Sequence, residues 1–264
     1  MKPIKKTPHP SLRLYQLSFI ELWRNRFGLL LLIVIPIVFI AIVEWTSGTN
    51  KIPIDLYRYH ETKQIILSQH DVNLVFIGAA VSGFLTAYYA ILLFHRNFEY
   101  FRHCIGMGLS PIGFVNARFL FFLTVTTILA ALISLILCYL VKIEQPFSIF
   151  IGFIFVGIIY GAFGGAVGLL SKDIMVAILL VVLMANLDAG WLQNPVFYTS
   201  AQDTGFIHWL PAFYPTQTIF AAAFTKKWNS WSVLLSSIYS IGLLVIMLLI
   251  VHLKLRKVKK WWET

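Results

Sequence analysis

Residues 74–141 read LVFIGAAVSGFLTAYYAILLFHRNFEYFRHCIGMGLSPIGFVNARFLFFLTVTTILAALISLILCYLV. Two long apolar runs, 74–94 and 119–141, flank a passage holding three arginines, a glutamate, two histidines, three glycines and a proline. A hydrocarbon core about 30 Å thick needs roughly 20 apolar residues as helix. Each run therefore predicts a membrane span, and the passage between them predicts a polar, turn-rich connection outside the lipid.

The rest of the chain repeats this pattern. Further apolar runs lie at 27–43, 147–170, 174–187 and 232–253, which makes six. The fifth is short and is expected to continue past Asp188 through Trp191. Of the 264 residues, 59% are hydrophobic and 12% charged, and the mean hydropathy is +0.80. A soluble domain carries about twice that charged share. The expectation is an all-α polytopic membrane protein, one transmembrane domain over 1–264, that buries its apolar surface in the lipid bilayer. No secretory cleavage pattern precedes the first run, so it is expected as a retained span. The net charge of +10 does not point to nucleic acid, because the basic residues flank the apolar runs.

That flanking orients the chain. The N-terminal stretch, the connection after span 2, the Lys172 turn and the C-terminal tail hold 15 of the 21 lysines and arginines. The three connections on the opposite side hold the other 6. The positive-inside rule then puts both termini in the cytoplasm of a cell (plasma or inner) membrane.

Before span 1, residues 11–26 carry Leu12, Tyr15, Phe19, Leu22 and Trp23 on one helical face, with Arg13, Ser18, Glu21 and Arg24 largely opposite. This predicts an amphipathic helix in the membrane interface; the alternative is a plain start to a longer first span. Span 4 has glycines at 157, 161 and 165 and a second stripe at 164 and 168. Such spacing lets helix backbones approach closely, within one subunit or between two. Residues 191–231 are broken by Pro195, Pro211 and Pro215 and rich in aromatics, as expected of short re-entrant helices covered by protein. The 44–73 connection is expected to be a modest, partly helical segment. Cys104 and Cys138 are too few for a disulfide framework and are expected on opposite sides of the membrane.

Little in the sequence points to catalysis. There is no Gly-Lys pair and hence no phosphate-binding P-loop. The HETKQ at 60–64 lacks the second histidine of a zinc-protease helix, and the GLSPIG at 108–113 is not a nucleophile elbow. His95, Glu99 and His103 fall at i, i+4, i+8, a spacing also found on solvated helix faces. Ser200, Asp203 and His208 crowd one short segment with nothing else for nucleophilic work. The six apolar cores are free of Asp, Glu, Lys, Arg and His; Asp188 and His252 sit at ends. A coupling ion needs a buried partner, so energy for transport is expected from outside the chain.

The connection between spans 2 and 3 has the features of a docking element. RNFEYFRHCIGM can form a short helix, Gly106 and Gly108 end it, and Pro111 starts the next helix, where its missing N–H costs little. A glycine-bounded helix here can pass rigid-body motion to the spans. GMGLSPIGFVNARFLFFLTV and FIHWLPAFYPTQTIFAAAF resemble the corresponding passages of the membrane subunits of ABC-2 type exporters, the type V exporter fold. The resemblance implies an interfacial N-terminal helix, six spans, a coupling helix over 96–110 between spans 2 and 3, and re-entrant helices over 191–231. Where that family often has Gly-Thr near the start of the coupling helix, this chain has Glu99-Tyr100-Phe101.

The resemblance also implies a permease with no catalytic or metal site. Its partners would be a second copy or related permease and two cytoplasmic ABC ATPase subunits. ATP and Mg would bind those subunits, and this chain would hold no cofactor. Glu99, Arg102 and His103 would make polar contacts to the ATPase and Phe101 an apolar one, while Tyr88, Tyr89, Asn186 and Asp188 are candidates to line the path. The cargo would be an amphiphile (drug, antimicrobial peptide or lipid) or, alternatively, a lipid-linked polysaccharide. A passive channel or scaffold, or an intramembrane enzyme, would need no ATPase.

Overall fold

The computed structural model describes residues 10–58, 61–95, 111–194 and 205–262. Helix α1, Pro10–Arg24, breaks at Asn25 and is followed by α2, Arg26–Thr46. Strands β1, Lys51–Arg58, and β2, Glu61–Ser68, form an antiparallel hairpin. Then come α3, Gln69–His95, α4, Pro111–Leu140, and α5, Pro146–Leu170. Helix α6, Ile174–Ala185, runs on as a π-helical stretch, Asn186–Leu192. A 3-10 turn, Ile207–Trp209, precedes the short α7, Phe213–Phe224, and the long α8, Ser230–Trp262.

Six helices are long and apolar enough to cross a membrane: Gly28–Thr46, Gln69–His95, Ile112–Leu140, Pro146–Leu170, Ile174–Leu192 and Ser230–Lys254. The chain is a multi-pass helical membrane protein. At 1.5 Å per residue, the 27 residues of α3 reach about 40 Å, more than the hydrocarbon core, whereas the 12 of α7 reach about 18 Å and cannot cross. The fifth span needs its π-helical extension to reach across. The end of α1, the end of α3 and the end of α8 share one end of the bundle, here the terminal end. The hairpin, the α4–α5 turn and α7 share the other, the hairpin end.

Helix α5 is the centre. It packs on α3, α4, α7 and α8, and its contact with α3 is the most extensive helix pair in the fold. The glycines make this possible. A Cβ on Gly157 would come within 2.6 Å of Thr126 Cγ2, and one on Gly165 within 2.7 Å of Met247 Sδ. A Cβ on Gly164 would collide with the Ala87 carbonyl, which is backbone and cannot rotate away. Both glycine stripes thus face neighbours within the chain. Lipid tails are as apolar as leucine, so close backbone approach takes over much of the role that water exclusion plays in soluble cores.

The outer helices show the complementary pattern. Leu30, Val34 and Ile37 on α2, Leu179 and Leu183 on α6, and Ile241 and Leu249 on α8 are exposed apolar residues. Hydroxyls in the helices mostly bond backward to carbonyls four residues earlier, as Thr86 does to Ser82, Thr126 to Phe122 and Ser236 to Ser232. This keeps them satisfied without water.

One sequence expectation is corrected. The connection after span 1 contains a β-hairpin, not a helical piece. Ile52, Ile54 and Leu56 alternate with Pro53, Asp55 and Tyr57, a period of two that suits a strand; Pro53 would also break a helix interior. Ile54 and Leu56 are fully buried while Ile66 on β2 is 71% exposed. The hairpin packs on α7, α3 and α8. Its base is closed by Gln69 N–H to Asn50 O at 2.8 Å and Asn73 Nδ2 to Ser47 Oγ at 3.2 Å.

Gly164→Leu should force α3 and α5 apart, an overpacking cost of about 1–3 kcal/mol or more. We expect a lower unfolding temperature in detergent and loss of the monodisperse peak in size-exclusion chromatography. Gly242, which has open space around its Cα, should accept the same substitution with little change.

Candidate functional site

The chain brings polar groups together at three places. The first is Asp188, in the π-helical end of the fifth span and 5% exposed. Its carboxylate accepts a short hydrogen bond from the Tyr160 hydroxyl on α5, one from Gln193 Nε2 at 3.0 Å, and one from the Ala212 N–H at 3.1 Å. Ala212 is the N-cap of α7, where a negative charge is favoured by the helix dipole. One carboxylate thus joins span 4, span 5 and the segment that leads into α7.

The other end of α7 is held as firmly. Its last carbonyls have no partner within the helix. Glu144 N–H donates to Ala223 O at 3.0 Å, Gln145 N–H to Ala222 O at 2.9 Å, and Gln145 Nε2 to Thr225 O at 2.6 Å. The α4–α5 turn therefore caps the short helix, and ten of its residues from Phe213 to Ala223 are buried. His208, before α7, lies with its ring 4.5 Å from that of Phe213, and burial lowers its pKa, favouring the neutral imidazole.

The second place is a groove of about 340 Å³ between α3 and the fifth span, lined by Ile77, Ala80, Leu183, Asn186, Leu187 and Trp191 among others. Asn186 gives its amide N–H to Val182 O at 2.8 Å, which leaves its side-chain oxygen as an acceptor on an otherwise apolar wall. Ile77, Ala80, Phe84 and Tyr88 recur along one stripe of α3 and are all half-buried. Tyr88 stacks on Phe84, with centroids 6.4 Å apart. The stripe is an open seam in an otherwise buried helix.

The third place is at the terminal end. Arg118, within α4 and 6% exposed, donates from Nη1 to Glu21 Oε2 of α1 at 2.6 Å, and its guanidinium lies 5.3 Å from the Phe114 ring centroid. Tyr15 of α1 shares a hydrogen bond with Thr124 at 3.0 Å, and Tyr15, Phe19 and Tyr89 surround the Phe121 ring edge-on. Beside the ion pair is a cavity of about 410 Å³ that Tyr89 also lines. The α1 side chains that meet the bundle are thus Tyr15, Ser18, Phe19 and Leu22, with Glu21 reaching Arg118. Ser18, on the polar face by sequence, is buried and donates to Leu14 O. Leu12, Ile20 and Trp23 point outward.

The four path candidates therefore fall in different places. Tyr88 and Asn186 belong to the open seam and its groove, Asp188 to the enclosed network, and Tyr89 to the terminal-end cavity. Asp188 lies near the end of span 5, as expected, and is buried there among three protein donors. Glu99, Phe101, Arg102, His103, Gly106 and Gly108 lie outside the described residues, as do Cys104, Ser200 and Asp203. Pro111 is the first residue of α4. His95 gives its Nδ1–H to Gly168 O at 2.8 Å and Lys254 donates to Leu169 O, so both cap the C-terminal end of α5. The Arg118–Glu21 pair and the Tyr160 and Gln193 contacts to Asp188 carry no local signal in the sequence. Arg118 reads there as one more flanking basic residue.

Compared with protein-family models and with curated proteins, the sequence matches none.

Asp188→Ala would leave the Tyr160, Gln193 and Ala212 donors without their acceptor, at about 1–3 kcal/mol for each that stays dry. We expect a clear fall in unfolding temperature and faster proteolysis between α6 and α7. Asp188→Asn, which keeps an acceptor oxygen, should lose markedly less.

Proposed function

We propose that this chain is the membrane-spanning permease of an ATP-driven exporter of the ABC-2 type, moving an amphiphile such as a drug, antimicrobial peptide or lipid out of the cytoplasm or its inner leaflet. The observation that carries the reading is α7. It is a short, buried helix between spans 5 and 6, capped within the fold at its C-terminal end and tied to span 5 near its start. Such an element satisfies its backbone at membrane depth without crossing. Its place in the chain agrees with the element order of that family, as do a helix ahead of span 1 and a charged connection ahead of the proline that opens span 3. On this reading the termini are cytoplasmic, and α1 lies in the interface with Leu12, Ile20 and Trp23 toward the lipid.

The energy would come from two cytoplasmic ATPase subunits, which bind ATP and Mg, while this chain pairs with a second copy or a related permease. Asp188 is occupied by three protein donors, which favours a bracing role over ion coupling. ATP-driven closure of the ATPases would move the 96–110 segment, and with it α3 and α4 on either side. The cargo would travel along the α3 seam, where Tyr88 and the Asn186 oxygen offer polar contacts on an apolar wall suited to an amphiphile.

Four measurements test this. Affinity purification of the full chain from its native membrane should bring down a P-loop ATPase. In the reconstituted complex, Glu99→Ala with Arg102→Ala should lower substrate-stimulated ATP hydrolysis; unchanged coupling would remove that segment's role. Asn186→Leu should raise the amphiphile concentration needed for half-maximal stimulation by roughly fivefold, the worth of about one hydrogen bond. Transport by this chain in proteoliposomes lacking any ATPase would overturn the reading.

A further inference from the structure

The terminal-end cavity has a chemistry that neither the packing nor the proposed transport path uses. It is bounded by the end of α1, the α1–α2 break, the last turns of α3 and the start of α4. Arg118 is its innermost charge, with a side chain only 8% exposed. A guanidinium has five N–H donors in a planar fork. Here one hydrogen bond goes to Glu21, and no fully buried guanidinium nitrogen is left unpartnered, so the remaining donors open onto the space beside them. Arg24, on the same cavity wall, forms no ion pair with a described carboxylate. The Tyr89 hydroxyl and the Asn25 amide also line it. Asn25 uses its oxygen to cap α2 by accepting from Gly28 N–H at 3.1 Å, so its NH₂ group remains as a donor.

The polar lining is therefore mostly donors, with two guanidinium groups against a single carboxylate, and that carboxylate already belongs to the ion pair. The opposite wall is apolar, formed by Leu22, Leu92 and Leu93. A small anion with several acceptor oxygens would satisfy the donors, and an attached acyl-bearing group would lie along the leucines.

We propose that this cavity binds a phosphate ester anion, held by the Arg118 fork and Arg24, with the headgroup of an anionic phospholipid as its expected source. Arg presents paired N–H groups that match phosphate oxygens, which a lone ammonium does not. Basic pockets between membrane helices are suited to such headgroups. The ligand would fill the space between α1 and the bundle and so hold the N-terminal helix against α3 and α4.

The test uses the full chain, delipidated in a zwitterionic detergent and followed by thermal unfolding and native mass spectrometry. Phosphatidylglycerol should raise the unfolding temperature and give a bound-lipid peak, whereas phosphatidylcholine at the same concentration should give little of either. Arg24→Gln removes one guanidinium without breaking an ion pair among the described residues. The double variant Glu21→Gln, Arg118→Gln removes the pair together and leaves no orphaned charge. Each should weaken phosphatidylglycerol binding at least roughly tenfold, the worth of one charge-assisted contact. Glycerol 3-phosphate is the soluble arm: stabilisation by it equal to that by the lipid, and lost in both variants, supports the phosphate site with a soluble source. Equal effects of phosphatidylcholine and phosphatidylglycerol would overturn the proposal. So would unchanged phosphatidylglycerol binding in Arg24→Gln, a variant on an exposed side chain that should fold as the parent does.

Discussion

The rest of the molecule depends on the approach of α5 to α3, where Gly164 lies against the Ala87 carbonyl and Gly157 against Thr86 and Thr126. In lipid there is no water to expel between two apolar helices, so association rests largely on how many atoms can be brought into contact. Glycine on several sides of one helix allows close neighbours on several sides. That makes α5 the hub, and it leaves α2, α6 and α8 at the periphery with apolar faces turned outward.

A second constraint follows at the hairpin end. Once α7 is drawn into the bundle, its backbone ends lie where water is scarce, and each unpaired group would be costly. The fold meets this at both ends with groups from elsewhere in the chain: Asp188 at the start, and the α4–α5 turn at the finish. The bracing carboxylate at this end of the bundle is held from three sides. The open seam of α3 beside the fifth span is where side chains remain accessible.

The terminal end follows a different rule. There α1 is attached through an ion pair whose arginine is buried and whose glutamate is half exposed, a tyrosine hydrogen bond and an aromatic cluster centred on Phe121. A half-exposed pair of this kind adds little net stability, although removing Glu21 alone would leave the buried Arg118 guanidinium without its carboxylate. It therefore determines where α1 sits more than how strongly it is held. The cavity beside it keeps donors in surplus.

Much of this fold is legible in the sequence because it depends on local, one-dimensional quantities. Runs of apolar residues long enough to cross a bilayer gave all six spans. The short fifth run pointed to a continuation past Asp188, and Pro111 marked the start of the third span. The hairpin had a local signal too, in the alternation around Ile52, Ile54 and Leu56, but its polar and proline-containing partners hid it in a connection too short to judge by composition. The cluster around Asp188 and the pair between Glu21 and Arg118 are different. Their members are separated by up to 97 positions, and each taken alone is an ordinary helix-end or flanking residue. Only the packing of α1 on α4, and of α7 beneath the π-helical end of span 5, brings them within hydrogen-bonding distance. Span number is set by how far an apolar stretch reaches through lipid, whereas the location of polar chemistry is set by which helices can touch, and that depends on small residues across the whole bundle at once.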